Sequence, residues 1–158
     1  MGMGFVLALT FGIGLVSGLR AFTGLAAITW AAHLGWISFS GSPLAFMGST
    51  WALVVFTLLA VVEYVTDQLP STPARTVPMQ LGARLLTGIF AGVCLAMAGG
   101  ASPWIGGICA ALGVLVGTYG GYRARTGLVK SLNVPDIAVA IPEDLIAIGL
   151  GCFLVSRF

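Results

Sequence analysis

The sequence predicts an all-α integral membrane protein, a bundle of about six transmembrane helices. Of its 158 residues, 58% are hydrophobic and only 8% are charged, whereas about a quarter of the residues in soluble domains are charged. The apolar runs are continuous, which favours spanning helices over the alternating strands of a β-barrel. Such helices fill residues 1–158 as a single domain. A soluble enzyme and a nucleic-acid-binding protein are excluded, because the chain lacks both a charged surface and a basic run.

Six apolar runs come close to the roughly 20 residues that a helix needs to cross a bilayer. They cover residues 3–19, 21–38, 50–66, 79–98, 103–121 and 136–156. Unlike a secretory signal, the first run has no Lys or Arg ahead of it, and we expect it to remain as the first span. Cations gather near Arg20, near Arg75 and from Arg123 to Lys130. Because cations favour the cytoplasmic side, this pattern places both termini outside.

Prolines predict two interruptions. The stretch from Gln68 to Pro78 contains three prolines and is expected to be a loop. In the last span, Pro142 pushes the residue before it out of the α region. We therefore expect a broken helix, with one segment ending near Ile141 and a second segment starting with Pro142, Glu143 and Asp144.

An internal repeat links distant parts of the chain. Residues 14–25 (GLVSGLRAFTGL) and 117–128 (GTYGGYRARTGL) share GxxxGxRAxTGL, and residues 82–88 (GARLLTG) keep GxRxxTG. On a helix, the Arg of this motif, the Thr three residues later and the Gly four residues later lie on one face. Repeated polar elements are typical of transporter folds. The repeat thus predicts a substrate or ion site that includes Arg20, Thr23, Arg84, Thr87, Arg123 and Thr126. Pairing of these arginines with carboxylates, or their anchoring to lipid headgroups, are the alternatives.

The chain has only five carboxylates. Glu63 and Asp67 lie four residues apart on one face of the third span, and Glu143 lies deeper, at the predicted break. A charged residue at the bilayer centre costs about 2.5–3.5 kcal/mol, so it is expected to face a cavity or a partner. The predicted site therefore also includes Glu63, Asp67, Glu143 and Asp144. For Asp67 and Asp136, near the interface, helix capping is the expected role.

No cofactor, metal site or disulfide is predicted. Cys94, Cys109 and Cys152 stand singly in apolar runs, and His33 has no neighbouring Cys or acid. The chain also lacks a nucleophile and base at diagnostic spacing.

Three stretches carry a resemblance to a known family. They are EYVTDQLPSTP (Glu63 to Pro73), the GAR before Leu85, and PDIAVAIPEDLIAIG (Pro135 to Gly149). In these stretches, and over nearly its whole length, the chain resembles a bacterial family of small integral membrane proteins catalogued as a domain of unknown function, number forty-one twenty-six. The resemblance implies a multi-pass protein of the bacterial inner membrane and implies no activity.

These features favour a transporter or channel for a small solute or ion. Three arginines opposite carboxylates best fit an anion such as phosphate, or a proton-coupled organic acid. The expected partners are this solute and the lipid bilayer, and the Gly-rich faces are candidate interfaces of a homo-oligomer. One alternative is a membrane enzyme acting on a lipid-linked phosphate, with Glu63 or Glu143 as acid or base. Another is a non-catalytic scaffold protein whose buried charges only specify helix pairing.

Overall fold

The computed structural model describes residues 2–68 and 75–158 of the chain. These residues form six α-helices and a short 3-10 helix, and they contain no β-strand, which confirms the all-α class. The helices are α1 (Met3–Leu19), α2 (Thr23–His33), α3 (Thr50–Thr66), α4 (Pro78–Ala98), α5 (Pro103–Leu132) and α6 (Asp136–Val155), and the 3-10 helix is Ala45–Gly48.

Three of the helices, α4, α5 and α6, are long enough and apolar enough to cross a membrane. Helices α1 and α3 are apolar but have only 17 residues each. Helix α2 has 11 residues and is therefore roughly 16 Å long, about half of the 30 Å hydrocarbon core. The chain thus has the helical lengths and composition of a membrane protein.

Local sequence explains where several helices begin and end. Pro78 and Pro103 occupy the first turn of α4 and α5, where a missing N–H is tolerated. Gly100 adopts φ +69° after α4, and the N–H of Ala101 then donates to the carbonyl of Ala96 at 2.8 Å, as in a Schellman cap. Asn133, with φ 51°, ends α5. The resulting short turns reverse the chain between α4 and α5 and again between α5 and α6.

Glycines bring α1 and α5 into backbone contact. A Cβ atom on Gly14 would overlap the carbonyl oxygen of Ala110, and one on Gly18 would overlap that of Val114. Since both contacts advance in the same direction, α1 and α5 are parallel. Gly113 and Gly117 of α5 meet the backbone of α1 in the same way. These four glycines thus pack inside the chain rather than forming an interface between copies, and the predicted homo-oligomer stays a prediction.

Helix α4 completes a tight three-helix core. Its Gly88 faces Val114 of α5 and Ser17 of α1, whereas its Gly92 faces Gly106 and Ala110. Helix α4 is therefore antiparallel to both partners. Helix α2 and α6 lie against this core, and α3 packs mainly on α2 and the 3-10 helix.

Four predicted elements, 3–19, 50–66, 79–98 and 136–156, are confirmed as helices to within one residue. The predicted span 21–38 is shorter in the structure, where α2 ends at His33 because Gly35 adopts φ +79°. Helix α5 extends to Leu132, eleven residues beyond the predicted span, because no proline interrupts it before Asn133. Of the predicted loop, residues 69–74 lie outside the described residues, and Pro78 already belongs to α4.

The predicted break in the last helix is wrong, since α6 runs through Pro142 without interruption. Proline removes one N–H donor, which would otherwise bond to the carbonyl of Ala138, but its φ is compatible with a helix. Helices in membranes tolerate proline because neighbouring groups compensate for the lost bond. Glu143 and Asp144 thus belong to the interior of a single helix.

The close α1–α5 contact predicts a large penalty for a single methyl group. We expect Gly113→Ala to lower the free energy of unfolding by about 1–3 kcal/mol, because the added Cβ overlaps the carbonyl oxygen of Phe11. Gly127→Ala, in the same helix with nothing within 4 Å, should instead raise it by about 0.5–1 kcal/mol. Unfolding in detergent, followed by circular dichroism, measures both. Equal stability of the two variants would contradict the contact.

Candidate functional site

One cluster of ion pairs joins all parts of the bundle at the end where α1 stops. We call it the ion-pair cluster, and it consists of Arg20, Arg75, Arg84 and Arg125 with Glu63, Asp67, Asp136, Glu143 and Asp144. It contains every carboxylate side chain of the sequence and four of its six arginines. The cluster is the most concentrated polar feature of an otherwise apolar chain.

Arg20 lies at the centre, in the break between α1 and α2. Its backbone is extended, with φ −144° and ψ 113°, and its side chain is fully buried. The Nε atom donates to Oδ1 of Asp144 at 2.5 Å, and the guanidinium also pairs with Asp67. The ring of Tyr64 lies 5.9 Å from Cζ. Arg20 therefore ties the α1–α2 break to both α3 and α6.

Glu63 holds the start of α2. Its Oε1 accepts a hydrogen bond from the N–H of Ala21 at 2.6 Å, and its Oε2 accepts one from the N–H of Phe22 at 2.9 Å. A carboxylate is favourable there because the first N–H groups of a helix lack partners and its dipole attracts negative charge. Next to it, the hydroxyls of Tyr64 and Thr23 lie 2.6 Å apart. The end of α3 is thereby fixed to the start of α2.

Arg84 holds the end of α1. Its Nη1 donates to the carbonyl oxygens of Gly18 at 3.1 Å and Leu19 at 2.7 Å. Its Nη2 lies 3.6 Å from Oε1 of Glu63 and 3.5 Å from Oδ2 of Asp67. A cation at a helix C-terminus satisfies the last carbonyls and complements the dipole.

The remaining pairs connect α6 to α5 and to Arg75, which precedes α4. Arg75 binds Glu143 through two bonds, of 2.5 Å to Oε1 and 3.0 Å to Oε2. Arg125 donates from Nε to Oδ1 of Asp136 at 2.8 Å and lies 3.5 Å from Oε2 of Glu143. The side chain of Asp136 is 60% exposed, whereas no other member of the cluster exceeds 13%. All members of the cluster except Asp136 are thus buried or nearly so.

The charges of the cluster do not balance. Its four arginines face five carboxylates, and of these nine side chains only that of Asp136 is largely exposed. When every carboxyl group is ionised, the cluster therefore carries one surplus negative charge. A proton or a cation is the chemical partner that neutralises such a charge.

The structure brings most of the predicted site residues together. Arg20, Arg84, Glu63, Asp67, Glu143 and Asp144 belong to the ion-pair cluster, and Thr23 joins it through Tyr64. Asp67 is the C-cap residue of α3 and Asp136 is the first residue of α6, and the side chains of both pair with arginines. The first copy of the repeat is not on one helix, because Arg20 lies in a break.

Arg123 and two repeat threonines lie apart from the cluster. Arg123 is exposed, and within the described residues it takes part in no ion pair. Arg125, two residues further along α5, is rotated by about 200° around the helix axis relative to Arg123, and it reaches the cluster instead. The Thr87 and Thr126 hydroxyls donate within their own helices, to the carbonyls of Ala83 at 3.0 Å and Tyr122 at 2.8 Å. The repeat pattern therefore does not place its three arginines around one point.

Sequence reasoning missed Arg75, Arg125 and Tyr64. A charge count provides a signal for the two arginines: five carboxylates against three repeat arginines left two acids in an apolar chain without a cation. Such acids require partners, and Arg75 and Arg125 were available at the same predicted end of the bundle. Tyr64 gave no signal, since its contact with Thr23 depends on how α2 and α3 pack.

The central position of Arg20 predicts a strong effect of its removal. We expect Arg20→Gln to lower the free energy of unfolding by about 3–5 kcal/mol, because Asp67 and Asp144 would lose the cation between them. Arg123→Gln is the matched control on an exposed site and should change stability by less than about 0.5 kcal/mol. Thermal unfolding in detergent micelles compares the two. Equal effects would show that burial in the cluster does not distinguish these arginines.

Comparison with known proteins identifies a family. Residues 7–156 match the model of the family described as a domain of unknown function, DUF4126. The match spans nearly the entire chain and confirms the resemblance noted in the sequence. No curated protein and no solved structure matches the chain.

Proposed function

We propose that this chain, which belongs to the DUF4126 family, is a multi-pass protein of a bacterial inner membrane that carries a small organic acid across it together with protons. The observation that supports this function is that four arginines face five carboxylates in the ion-pair cluster, and that eight of these nine side chains are at most 13% exposed. Ionisable groups inside membrane proteins are rare, and they mark ion and proton pathways.

The proposed topology has six membrane-embedded segments and both termini outside. The ends of α1 and α3 and the starts of α2, α4 and α6 meet at the ion-pair cluster, so the helix directions alternate. The cations Arg75, Arg123 and Lys130 lie towards this end, and the positive-inside rule assigns it to the cytoplasm. Trp51 and Trp104, at the opposite end, are 82% and 84% exposed, which suits indole rings at headgroup level. Helix α2 spans only one half of the bilayer and is continued by the segment that follows it.

Proton binding is proposed to work through Asp144. Its carboxylate is one of the two that hold Arg20. A protonated Asp144 no longer carries the charge that attracts this guanidinium, so Arg20 becomes available to the carboxylate of a solute. Because Asp144 belongs to α6 and Arg20 to the α1–α2 break, the same event loosens α6 from the core. Solute binding and helix movement then follow from one proton.

An organic acid fits this site better than phosphate. Each buried arginine already faces at least one carboxylate, so an arriving anion must replace that group. A monocarboxylate has the geometry of the carboxylate that protonation has neutralised, and it restores the single negative charge which that carboxylate carried. A multiply charged anion would instead require several protonations at once.

Transport by proteoliposomes tests the function. With a pH gradient, we expect uptake of the monocarboxylates acetate or lactate together with protons, measured with labelled solutes and the trapped pH indicator pyranine. Asp144→Asn, which cannot exchange a proton, should lower both fluxes at least about 10-fold, in line with the loss of a group needed for proton transfer. Lys130→Gln, an exposed cation outside the cluster, serves as the control and should keep both. Equal fluxes in the two folded variants would contradict the role of Asp144.

A second test addresses the topology. In a variant whose native cysteines Cys94, Cys109 and Cys152 are replaced by alanine, Ser40→Cys and Lys130→Cys each introduce one exposed thiol. We expect a membrane-impermeant maleimide to label Ser40→Cys in intact cells and Lys130→Cys only after permeabilisation. Labelling of both positions from the same side would contradict six embedded segments.

A scaffold protein is the second candidate. It is favoured by the bonds of Glu63 to the start of α2 and of Arg84 to the end of α1, since both are structural contacts. In that case the wild-type protein moves none of the tested solutes, and Asp144→Asn changes only its stability. The fluxes of the wild-type protein therefore separate the scaffold from the transporter, and melting of the variants measures the structural contribution of Asp144 in either case.

A further inference from the structure

An apolar groove lies between α2, α3 and α6, apart from the ion-pair cluster. Its volume is about 640 Å³. Ala27 and Trp30 of α2, Val61 of α3 and Ile148 and Phe153 of α6 are among the residues that line it. The walls are almost entirely hydrocarbon, which suits an apolar chain rather than the polar solute of the cluster.

The length of the groove matches one leaflet of a bilayer. Along α2 it extends from Thr23, beside the cluster, to Leu34 at the opposite end of the helix. These eleven steps correspond to roughly 16 Å, and half of a hydrocarbon core of about 30 Å is roughly 15 Å. A single acyl chain of the leaflet at that end fits this length.

A cation lies at the outer end of the groove. Ser156 lines the groove, and Arg157 follows it and is exposed. The guanidinium carbon of Arg157 lies 5.6 Å from the ring centroid of Phe153, which also lines the groove. All five carboxylates of the sequence belong to the ion-pair cluster at the other end, so Arg157 has no acidic side chain to neutralise it. An anionic headgroup supplies the missing charge.

We propose that this groove binds a phospholipid with an anionic headgroup, with one acyl chain between α2, α3 and α6 and the phosphate on Arg157. The exposed rings of Trp30 and Trp36 lie at the same end, where indoles favour the headgroup level. The site depends on the protein being in a membrane and is independent of proton coupling at Asp144.

Quenching of Trp30 by brominated lipids tests the site. A variant with Trp36→Phe, Trp51→Phe and Trp104→Phe keeps Trp30 as its single tryptophan, 46% exposed in the groove wall. It is reconstituted in two kinds of vesicle. In one, brominated phosphatidylglycerol is mixed with phosphatidylcholine, and in the other, phosphatidylglycerol is mixed with brominated phosphatidylcholine. We expect Trp30 to prefer phosphatidylglycerol about fivefold, which is the effect of about one basic residue near an anionic surface.

The matched variants assign the preference to one residue. Arg157→Gln in the same background should abolish the fivefold preference, whereas Lys130→Gln, at the opposite end of the bundle, should retain it. Equal quenching by both lipids, or an unchanged preference in Arg157→Gln, would overturn the headgroup contact. Absence of quenching by either lipid would overturn the acyl-chain site, because the groove would then be filled by protein, such as a second copy of the chain. Because Arg157 is exposed, we expect the Arg157→Gln variant to fold normally, and circular dichroism verifies its helical content.

Discussion

The backbone break at Arg20 is the constraint on which the rest of the structure depends. A break between two helices leaves the last carbonyls of α1 and the first N–H groups of α2 without helical partners, and this break is buried within the bundle. Arg84 bonds the carbonyls and Glu63 bonds the N–H groups. Arg20 itself lies in this break with its side chain buried, and it pairs with Asp67 and Asp144. The ion-pair cluster thus compensates for one interruption of the helical backbone.

The glycine contacts make this compensation geometrically feasible. Arg84 reaches the carbonyls of Gly18 and Leu19 only because α4 lies close to α1, and Gly88 of α4 permits that approach. Thr118 of α5 adds a hydroxyl bond to Gly18 at 3.1 Å, which requires the contact of Gly117 with α1. Small side chains at helix interfaces generally allow such backbone proximity in membranes. Packing and polar bonding are therefore parts of a single arrangement.

Much of the fold could be predicted because hydrophobic runs and prolines act locally. The ends of α1, α3, α4 and α6 follow from the residues at those ends, whereas the course of α6 through Pro142 depends on neighbours that compensate for a lost bond. That the carboxylates face partners inside the bundle was predictable, because an unpaired charge in hydrocarbon costs free energy. The identity of their partners was not, since a spacing of two residues on α5 decides between Arg123 and Arg125, and only the packed bundle shows which of them faces inward.

The partners of Arg20 are far apart in the sequence, and this separation affects biogenesis. When the ribosome has produced α1 and α2, Arg20 has no carboxylate, because Asp67 follows 47 residues later and Asp144 follows 124 residues later. A nascent guanidinium can reach the lipid headgroups by extending its side chain. The second carboxylate of Arg20 is therefore supplied only when α6 has been made, so the contacts of the break are completed at the last helix of the chain. A chain that stops before α6 would leave Arg20 with Asp67 as its only carboxylate from this pair.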